Sequence, residues 1–164
     1  MKKIIILLIT VSLGFSGCEK DDICASDTPT TPQLVIEFFD IDSNALKSVS
    51  KLKIQDSESS KLLGTFDATK IKIPLKTDLD ISKYSFTLNS ETTTATNLDQ
   101  LEFNCTRNSV FISRACGYKT NYILNNTTSV LIEEATNDTE WIKKITVTKP
   151  NILNENETHI KIFF

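Results

Sequence analysis

Four cysteines, Cys18, Cys24, Cys105 and Cys116, are the residues of this chain best suited to covalent chemistry. A cysteine thiol can be acylated, oxidised to a disulfide or used to bind a metal ion. The sequence contains no C-x-x-C pair and only one histidine, which excludes a histidine-rich zinc site. The cysteines therefore point to lipid attachment or to disulfide formation.

Patterns typical of catalysis are missing from the sequence. With four glycines, the chain lacks the Gly-x-Ser-x-Gly, P-loop and dinucleotide-binding patterns. Its one histidine, His159, lies on a predicted terminal strand with no recognisable nucleophile nearby in sequence. The run DIDSN at 40–44 begins like a calcium loop, but Ala45 replaces the turn glycine and Lys51 the closing glutamate. We therefore predict no enzyme activity, no catalytic residue, no metal and no cofactor.

The first seventeen residues have the layout of a secretory signal peptide. Lys2 and Lys3 precede an apolar run from Ile4 to Leu13, and small residues follow up to Gly17. The apolar run is shorter than the roughly 20 residues that a helix needs to cross a bilayer. We expect residues 1–17 to be removed on export.

The segment Phe15-Ser16-Gly17-Cys18 resembles the bacterial lipobox, with Phe15 in place of the usual leucine. The resemblance implies that Cys18 receives a diacylglyceryl thioether, becomes the first residue and is then acylated on its amine. Two or three acyl chains give stable anchoring, at about 0.8 kcal/mol per buried methylene. The alternative is an ordinary secreted protein with Cys18 in a disulfide.

Lys20, Asp21 and Asp22 follow this cysteine almost directly. The run looks like the Lys-acidic-acidic export signal that sends Bacteroidota lipoproteins to the outer face of the outer membrane. On this interpretation the protein is held in the outer membrane by the acyl chains on Cys18 and faces the cell surface. The alternative is a solvated tether on a protein that faces the periplasm.

Export makes a disulfide possible among the other three cysteines. The sequence LEFNCTRNSVFISRAC at 101–116 predicts a hairpin with its turn at 106–109. Such a turn would separate Cys105 and Cys116 by roughly 20 Å along the ladder, whereas a disulfide needs Cα atoms within about 7 Å. Cys105 also alternates with Leu101 and Phe103, which predicts a buried apolar side chain. Cys24–Cys116 is therefore the favoured pair, and three free thiols are the alternative.

A bond between Cys24 and Cys116 would shorten the connection to the anchor. Cys24 follows Cys18 by six residues, and an extended chain of that length reaches about 20 Å. The bond would hold the N-terminal arm against the domain. Its loop of about 90 residues stabilises the fold by up to roughly 4–5 kcal/mol in the entropic description.

Apolar and polar residues alternate along most of the chain beyond residue 33, which is typical of β-strands. Leu34–Phe39 is nearly continuous apolar and predicts a central strand, whereas Pro74 predicts an edge strand around 71–75. No helical period is present. The sequence predicts an all-β fold, an antiparallel β-sandwich of immunoglobulin-like type, with a small β-barrel as the alternative. Further strand patterns surround 52–54, 84–88, 118–124, 130–132, 141–147 and 159–164.

The chain divides by composition into three expected parts. Residues 25–33, ASDTPTTPQ, are linker-like because Pro29 and Pro32 favour extended backbone. We therefore expect a signal peptide at 1–17, a lipidated tether at 18–33 and a single β-sandwich domain at 34–164. The net charge is −3 and no basic stripe is present, so nucleic acid is not an expected partner.

SRACGYK at 113–119 is the most distinctive internal stretch. The favoured interpretation is an ordinary strand end held by a disulfide. The alternative is a recognition patch that Arg114, Tyr118 and Lys119 form around Cys116.

Three stretches together resemble a Bacteroidota family of envelope lipoproteins of unknown function. The resemblance implies a small β-rich domain and an envelope location, and it carries no known activity or catalytic residue. The stretches are CEKDDIC at 18–24 with TPTTP at 28–32, SRACGYK at 113–119, and the pair WIKKI at 141–145 and THIKI at 158–162.

These observations lead to two expected functions. The first is a lipid-anchored, non-enzymatic module that works by contact with another envelope component, such as an outer-membrane β-barrel protein. The second is a surface module that binds a glycan or a peptide. The second function needs exposed aromatic residues, for which Tyr118, Tyr122 and Trp141 are the candidates, although their pattern is more typical of core residues.

Overall fold

The computed structural model describes residues 23–92, 96–125, 130–134 and 140–164, the side chains of 131–134 excepted. Within these ranges the backbone forms eleven strands and no helix, and hence no helix that could cross a membrane. The strands are β1 Leu34–Phe39, β2 Val49–Asp56, β3 Leu62–Ala68, β4 Lys70–Ile73, β5 Ile81–Leu88, β6 Asn97–Ser113, β7 Gly117–Leu124, β8 Val130–Glu134, β9 Lys144–Val147, β10 Asn151–Ile152 and β11 Ile160–Phe163.

The chain separates into two compact units. Of the described residues, the smaller unit contains 23–29 and Phe111–Lys119, and the larger contains those of Thr30–Val110 and Thr120–Phe164. Strands β6 and β7 therefore contribute residues to both units. The expected boundaries after residues 17 and 33 stay predictions.

The larger unit is an all-β sandwich, as the alternating pattern predicts. One sheet has the strand order β4-β1-β11-β9, and the other has the order β10-β7-β6-β5-β2-β3 with β8 paired to β6. Among the described residues neither order closes on itself, so the barrel alternative is wrong. The division into four and seven strands exceeds the four and three of an immunoglobulin constant domain.

Strand β1 lies in the interior of the four-stranded sheet. It pairs antiparallel with β4 and parallel with β11. Leu34, Ile36 and Phe38 on its inner face are buried, and so is Val35, whereas Glu37 on the other face pairs with Lys70. The predictions of a central strand here and of an edge strand before Pro74 are both confirmed.

The inner faces of the two sheets share one hydrophobic cluster in the larger unit. Ile36 and Ile162 enter it from the four-stranded sheet, and Ile54, Phe86 and Phe103 enter it from the seven-stranded sheet. Burying one such side chain contributes about 1.5–3 kcal/mol. Cys105 is buried within the cluster as a free thiol, as its alternation with Leu101 and Phe103 predicts.

The predicted turn at 106–109 is wrong, because β6 runs without interruption through those residues. Arg107, expected in the turn, donates from Nε to Asp80 Oδ1 and from Nη1 to the Thr77 carbonyl, both over 2.7 Å. The backbone N–H of Cys105 donates to the Asp80 carbonyl over 2.8 Å. Four polar residues in a row indicate a turn locally, but here they form a strand held by the loop before β5.

Two turns of the larger unit are built in the same way around an aspartate. Asp40 Oδ1 accepts hydrogen bonds from the backbone N–H and the hydroxyl of Ser43, and Asp56 Oδ1 accepts the same pair from Ser59. The bonds from Ser43 and an ion pair of 3.0 Å with Lys47 hold the pKa of Asp40 well below its usual range. The calcium-like run at 40–44 is therefore an acidic turn that satisfies its own backbone.

His159 joins the first and last strands of the larger unit. The Val35 N–H donates to His159 Nδ1 over 2.9 Å, and the His159 N–H donates to the Val35 carbonyl over 3.0 Å. The residue is 2% exposed, and burial lowers the pKa of its ring from the ordinary 6.5. The ring must stay neutral, because a proton on Nδ1 would remove the acceptor that Val35 uses.

Stability should therefore fall when the solution is acidified past the ordinary histidine pKa. The pKa of His159 is lower in the folded state than in the unfolded chain, so below about pH 6.5 the unfolded chain binds more protons and the free energy of unfolding decreases. The slope should be at most about 1.4 kcal/mol per pH unit. Urea unfolding followed by Trp141 fluorescence at a series of pH values measures it.

His159→Asn is the matched control, because its side-chain oxygen can accept the Val35 hydrogen bond but does not titrate. It should be less stable at neutral pH and should lack the slope. The Lys72 ammonium holds the pKa of Glu155 below its ordinary 4.5. Protonation of Glu155 therefore affects stability at a lower pH than protonation of His159 does. Because the chain has one histidine, an unchanged slope in His159→Asn would contradict the assignment.

Candidate functional site

The hairpin tip, residues 111–119, is the part of the smaller unit where β6 turns into β7. Ser113 Oγ accepts a hydrogen bond from the Cys116 N–H over 3.1 Å, which closes the turn. Gly117 follows with a φ of 68°, and a Cβ built there would meet nothing within 4 Å. Glycine is therefore favoured here by the left-handed backbone, which short bulged hairpin loops use, and not by crowding.

A disulfide joins this tip to the N-terminal segment. Cys24 and Cys116 lie with Cα atoms 5.0 Å apart and are bonded through their sulfur atoms. This is the pair that the sequence favours, but the reason differs from the expected hairpin geometry. Cys105 is buried in the core of the larger unit, whereas Cys116 lies at the turn, where the Thr28 hydroxyl is 3.7 Å from its Sγ.

Two aromatic rings are exposed on the hairpin tip. Phe111 is 55% and Tyr118 69% exposed, and their ring centroids are 5.2 Å apart at an interplanar angle of 63°. Ile23, next to Cys24, is also an exposed large apolar residue. Tyr118 belongs to the predicted recognition patch. Phe111 was missed, although the polar residues Arg107 and Ser109 before it at alternate positions indicate that β6 has left the core.

The charged members of the predicted patch are available for contact. Arg114 is exposed and Lys119 half-buried. Neither forms an ion pair with a carboxylate of the described residues, and Asp27 is the one acidic residue in the described segments of the smaller unit. The tip therefore combines two rings in edge-to-face contact with two cations that lack a carboxylate partner among the described residues.

The other two aromatic candidates belong to the core. The Tyr122 hydroxyl donates to the Leu75 carbonyl over 3.2 Å, and Trp141 Nε1 donates to the Phe86 carbonyl over 3.1 Å. Both side chains are buried. Of the three residues proposed to contact a ligand, only Tyr118 is exposed.

A cleft of about 620 Å³ in the larger unit is a second candidate site. Strand β3, which the sequence pattern did not predict, supplies one wall, and the chain after β4 supplies the other. Lys76 lies 3.4 Å from Asp56 and also pairs with Glu58, so its charge is compensated inside the cleft. The lining combines apolar Leu62, Leu63, Phe66, Pro74 and Leu75 with polar Gln33, Asp56, Ser59, Lys61, Lys72, Lys76, Thr77, Asp78 and Tyr84.

The titratable groups near this cleft serve the fold. Burial raises the pKa of Tyr84 to about 12, and its hydroxyl donates to the Pro74 carbonyl over 2.7 Å. The Lys72 ammonium lies 2.9 Å from Glu155, whose other oxygen accepts the Gln33 N–H. Among the described residues, no group of three or more His, Cys, Asp or Glu side chains could hold a metal ion.

Cys18, Lys20, Asp21 and Asp22 lie outside the described residues. Lipid attachment and the export signal therefore stay predictions.

Residues 46–164 match a family of unknown function, DUF6452. The chain belongs to this family. The match covers more than half of the chain and includes β2 to β11 with the hairpin tip, while Cys18, Cys24 and β1 precede it. No curated protein and no solved structure matches the chain.

Removing the disulfide should destabilise the protein strongly. The bond closes a loop between residues 92 apart, and in the entropic description such a loop lowers the entropy of the unfolded chain by an amount worth up to about 4–5 kcal/mol. We expect Cys24→Ser/Cys116→Ser to lower the free energy of unfolding accordingly, measured by urea unfolding under oxidising conditions.

Reductant supplies the control for this variant. Added to the wild type it should reproduce the lowered midpoint, and added to the double variant it should change nothing. Cys105→Ala retains the disulfide and should respond to reductant as the wild type does. A wild-type midpoint that is insensitive to reductant would show that the bond does not support the fold.

Proposed function

We propose that this protein is a lipid-anchored, non-enzymatic module of the outer membrane that acts by contact. The observation that carries the proposal is the Cys24–Cys116 disulfide, because it attaches the hairpin tip to the segment that follows the lipobox-like sequence. A side chain six residues beyond an acylated Cys18 stays within about 20 Å of the anchor. The bond thus couples the tip of a folded hairpin to the membrane attachment point.

The proposed cellular location rests on the sequence around Cys18. Phe15-Ser16-Gly17-Cys18 supports acylation of Cys18, and Lys20-Asp21-Asp22 supports a surface-facing position in a Bacteroidota outer membrane. A periplasm-facing position is the alternative. The partner on either side would be an outer-membrane β-barrel or another envelope protein.

The surroundings of the polar side chains support a function in contact rather than in catalysis. His159, Tyr84 and Asp99, three of the buried titratable side chains, are each engaged in a hydrogen bond to the backbone. The exposed groups of the hairpin tip, in contrast, have no partner of opposite charge among the described residues. These groups are therefore available to contact another molecule.

A glycan- or peptide-binding module is the second candidate, and the cleft beside β3 favours it. Within the described residues β3 is the last strand of its sheet, and Leu62 on it is exposed. Such an edge can accept an extended peptide as an additional strand. Binding to a peptide or glycan array that is lost in Leu62→Asp, with wild-type unfolding behaviour, would support this function.

Labelling with radioactive palmitate tests the anchor. We expect incorporation into the wild type and none into Cys18→Ala, which should also leave the membrane fraction. A wild type that carries no label would contradict the proposed anchoring.

Protease treatment of intact cells tests the orientation. We expect the wild type to be digested and Lys20→Ala/Asp21→Ala/Asp22→Ala to be protected, because the altered run no longer directs export to the surface. If the wild type is also protected while palmitate is incorporated, the protein faces the periplasm and the charged run is only a tether.

A further inference from the structure

We infer that the hairpin tip docks on the bilayer in which Cys18 is anchored, with Phe111 and Tyr118 in the headgroup region. The inference rests on the proposed acylation of Cys18 and deepens it, because it names the surface that the tip contacts. The observations behind it are a covalent limit on distance, a pair of exposed rings and the local distribution of charge.

The covalent path limits how far the tip can move from the membrane. An acylated Cys18 has its chains in the hydrocarbon region, and the six residues to Cys24 span at most about 20 Å. The disulfide adds a Cα–Cα distance of 5.0 Å to Cys116 at the turn. The bilayer surface is therefore always within short reach, and its effective concentration at the tip is high.

The exposed rings have the chemistry of the membrane interface. Tyrosine, which combines an apolar ring with a polar hydroxyl, is enriched at the level of the headgroups. Phe111 and Tyr118 lie 5.2 Å apart as one unit, so both can enter the interface together. Ile23, exposed next to Cys24, lies on the chain that leads to the anchor. Transfer of this apolar surface out of water supplies the driving force.

The charges of the tip permit this contact. Arg114 and Lys119 have no carboxylate partner among the described residues, and cations near an anionic leaflet are attracted to it. The intervening segment carries Glu19, Asp21 and Asp22 against one lysine, which offsets that attraction. Apolar contact of the rings therefore dominates, and docking should occur on zwitterionic lipid as well.

Tryptophan placed at the tip can report docking directly. Phe111→Trp is made in the full mature chain acylated at Cys18 and reconstituted in phosphatidylcholine vesicles with acyl chains brominated near the headgroup. Trp141 is the only native tryptophan, so the parent protein supplies the background to subtract. Leu153→Trp, at a residue of the larger unit that is 50% exposed, is the control matched to Phe111 in exposure.

We expect blue-shifted emission at position 111 on vesicle binding and several-fold stronger bromine quenching there than at position 153. Tyr118→Trp should give the same result as Phe111→Trp, which guards against a local effect of one substitution. Protein that floats with the vesicles but shows water-like emission at both tip positions, or equal quenching at 153, would overturn the inference while anchoring stands. Protein that is not acylated and does not float would instead refute the proposed anchoring.

Discussion

The pairing of β1 with β11 is the constraint on which the sandwich depends. The two strands lie side by side in parallel, with Ile36 opposite Ile160, although nearly the whole domain separates them in sequence. The reciprocal hydrogen bonds between Val35 and His159 extend this pairing beyond the strand itself. Closing such a long loop is costly in entropy, so the four-stranded sheet forms only when β1 and β11 come together. The seven-stranded sheet needs that layer to cover its apolar face.

Strand β6 shows what happens where a strand extends past such a core. Its first half buries Leu101, Phe103 and Cys105 in the larger unit, and its last residues belong to the hairpin tip, where no side chain is fully buried. A small segment cannot bury enough apolar surface to be stable by itself, and disulfides commonly replace a core in such cases. The Cys24–Cys116 bond has that role, and it also leaves Phe111 and Tyr118 free for contact.

The alternation of residue types was enough to predict most strands, the inward direction of Cys105 and the edge position before Pro74. It failed at 106–109, where four polar residues predicted a turn, because the hydrogen bonds from Arg107 to the loop before β5 were not visible in the sequence. The expected turn was also part of the argument for the Cys24–Cys116 disulfide. That pair was therefore predicted correctly, but partly from a hairpin geometry that the structure does not have. Strand β3 and the cleft beside it were missed, because its residues are only partly buried and show little alternation.

The sequence by itself determined the all-β class, the presence of oxidisable cysteines and the resemblance of 15–18 to a lipobox, since each depends on residue types at short spacing. Side-chain alternation along a strand is a local property, so it can be read directly from the chain. The tertiary structure decided which strands are neighbours, where β6 leaves the core and which aromatic residues face solvent. Those outcomes depend on contacts between residues far apart in sequence, and on whether another layer is present to cover a given face.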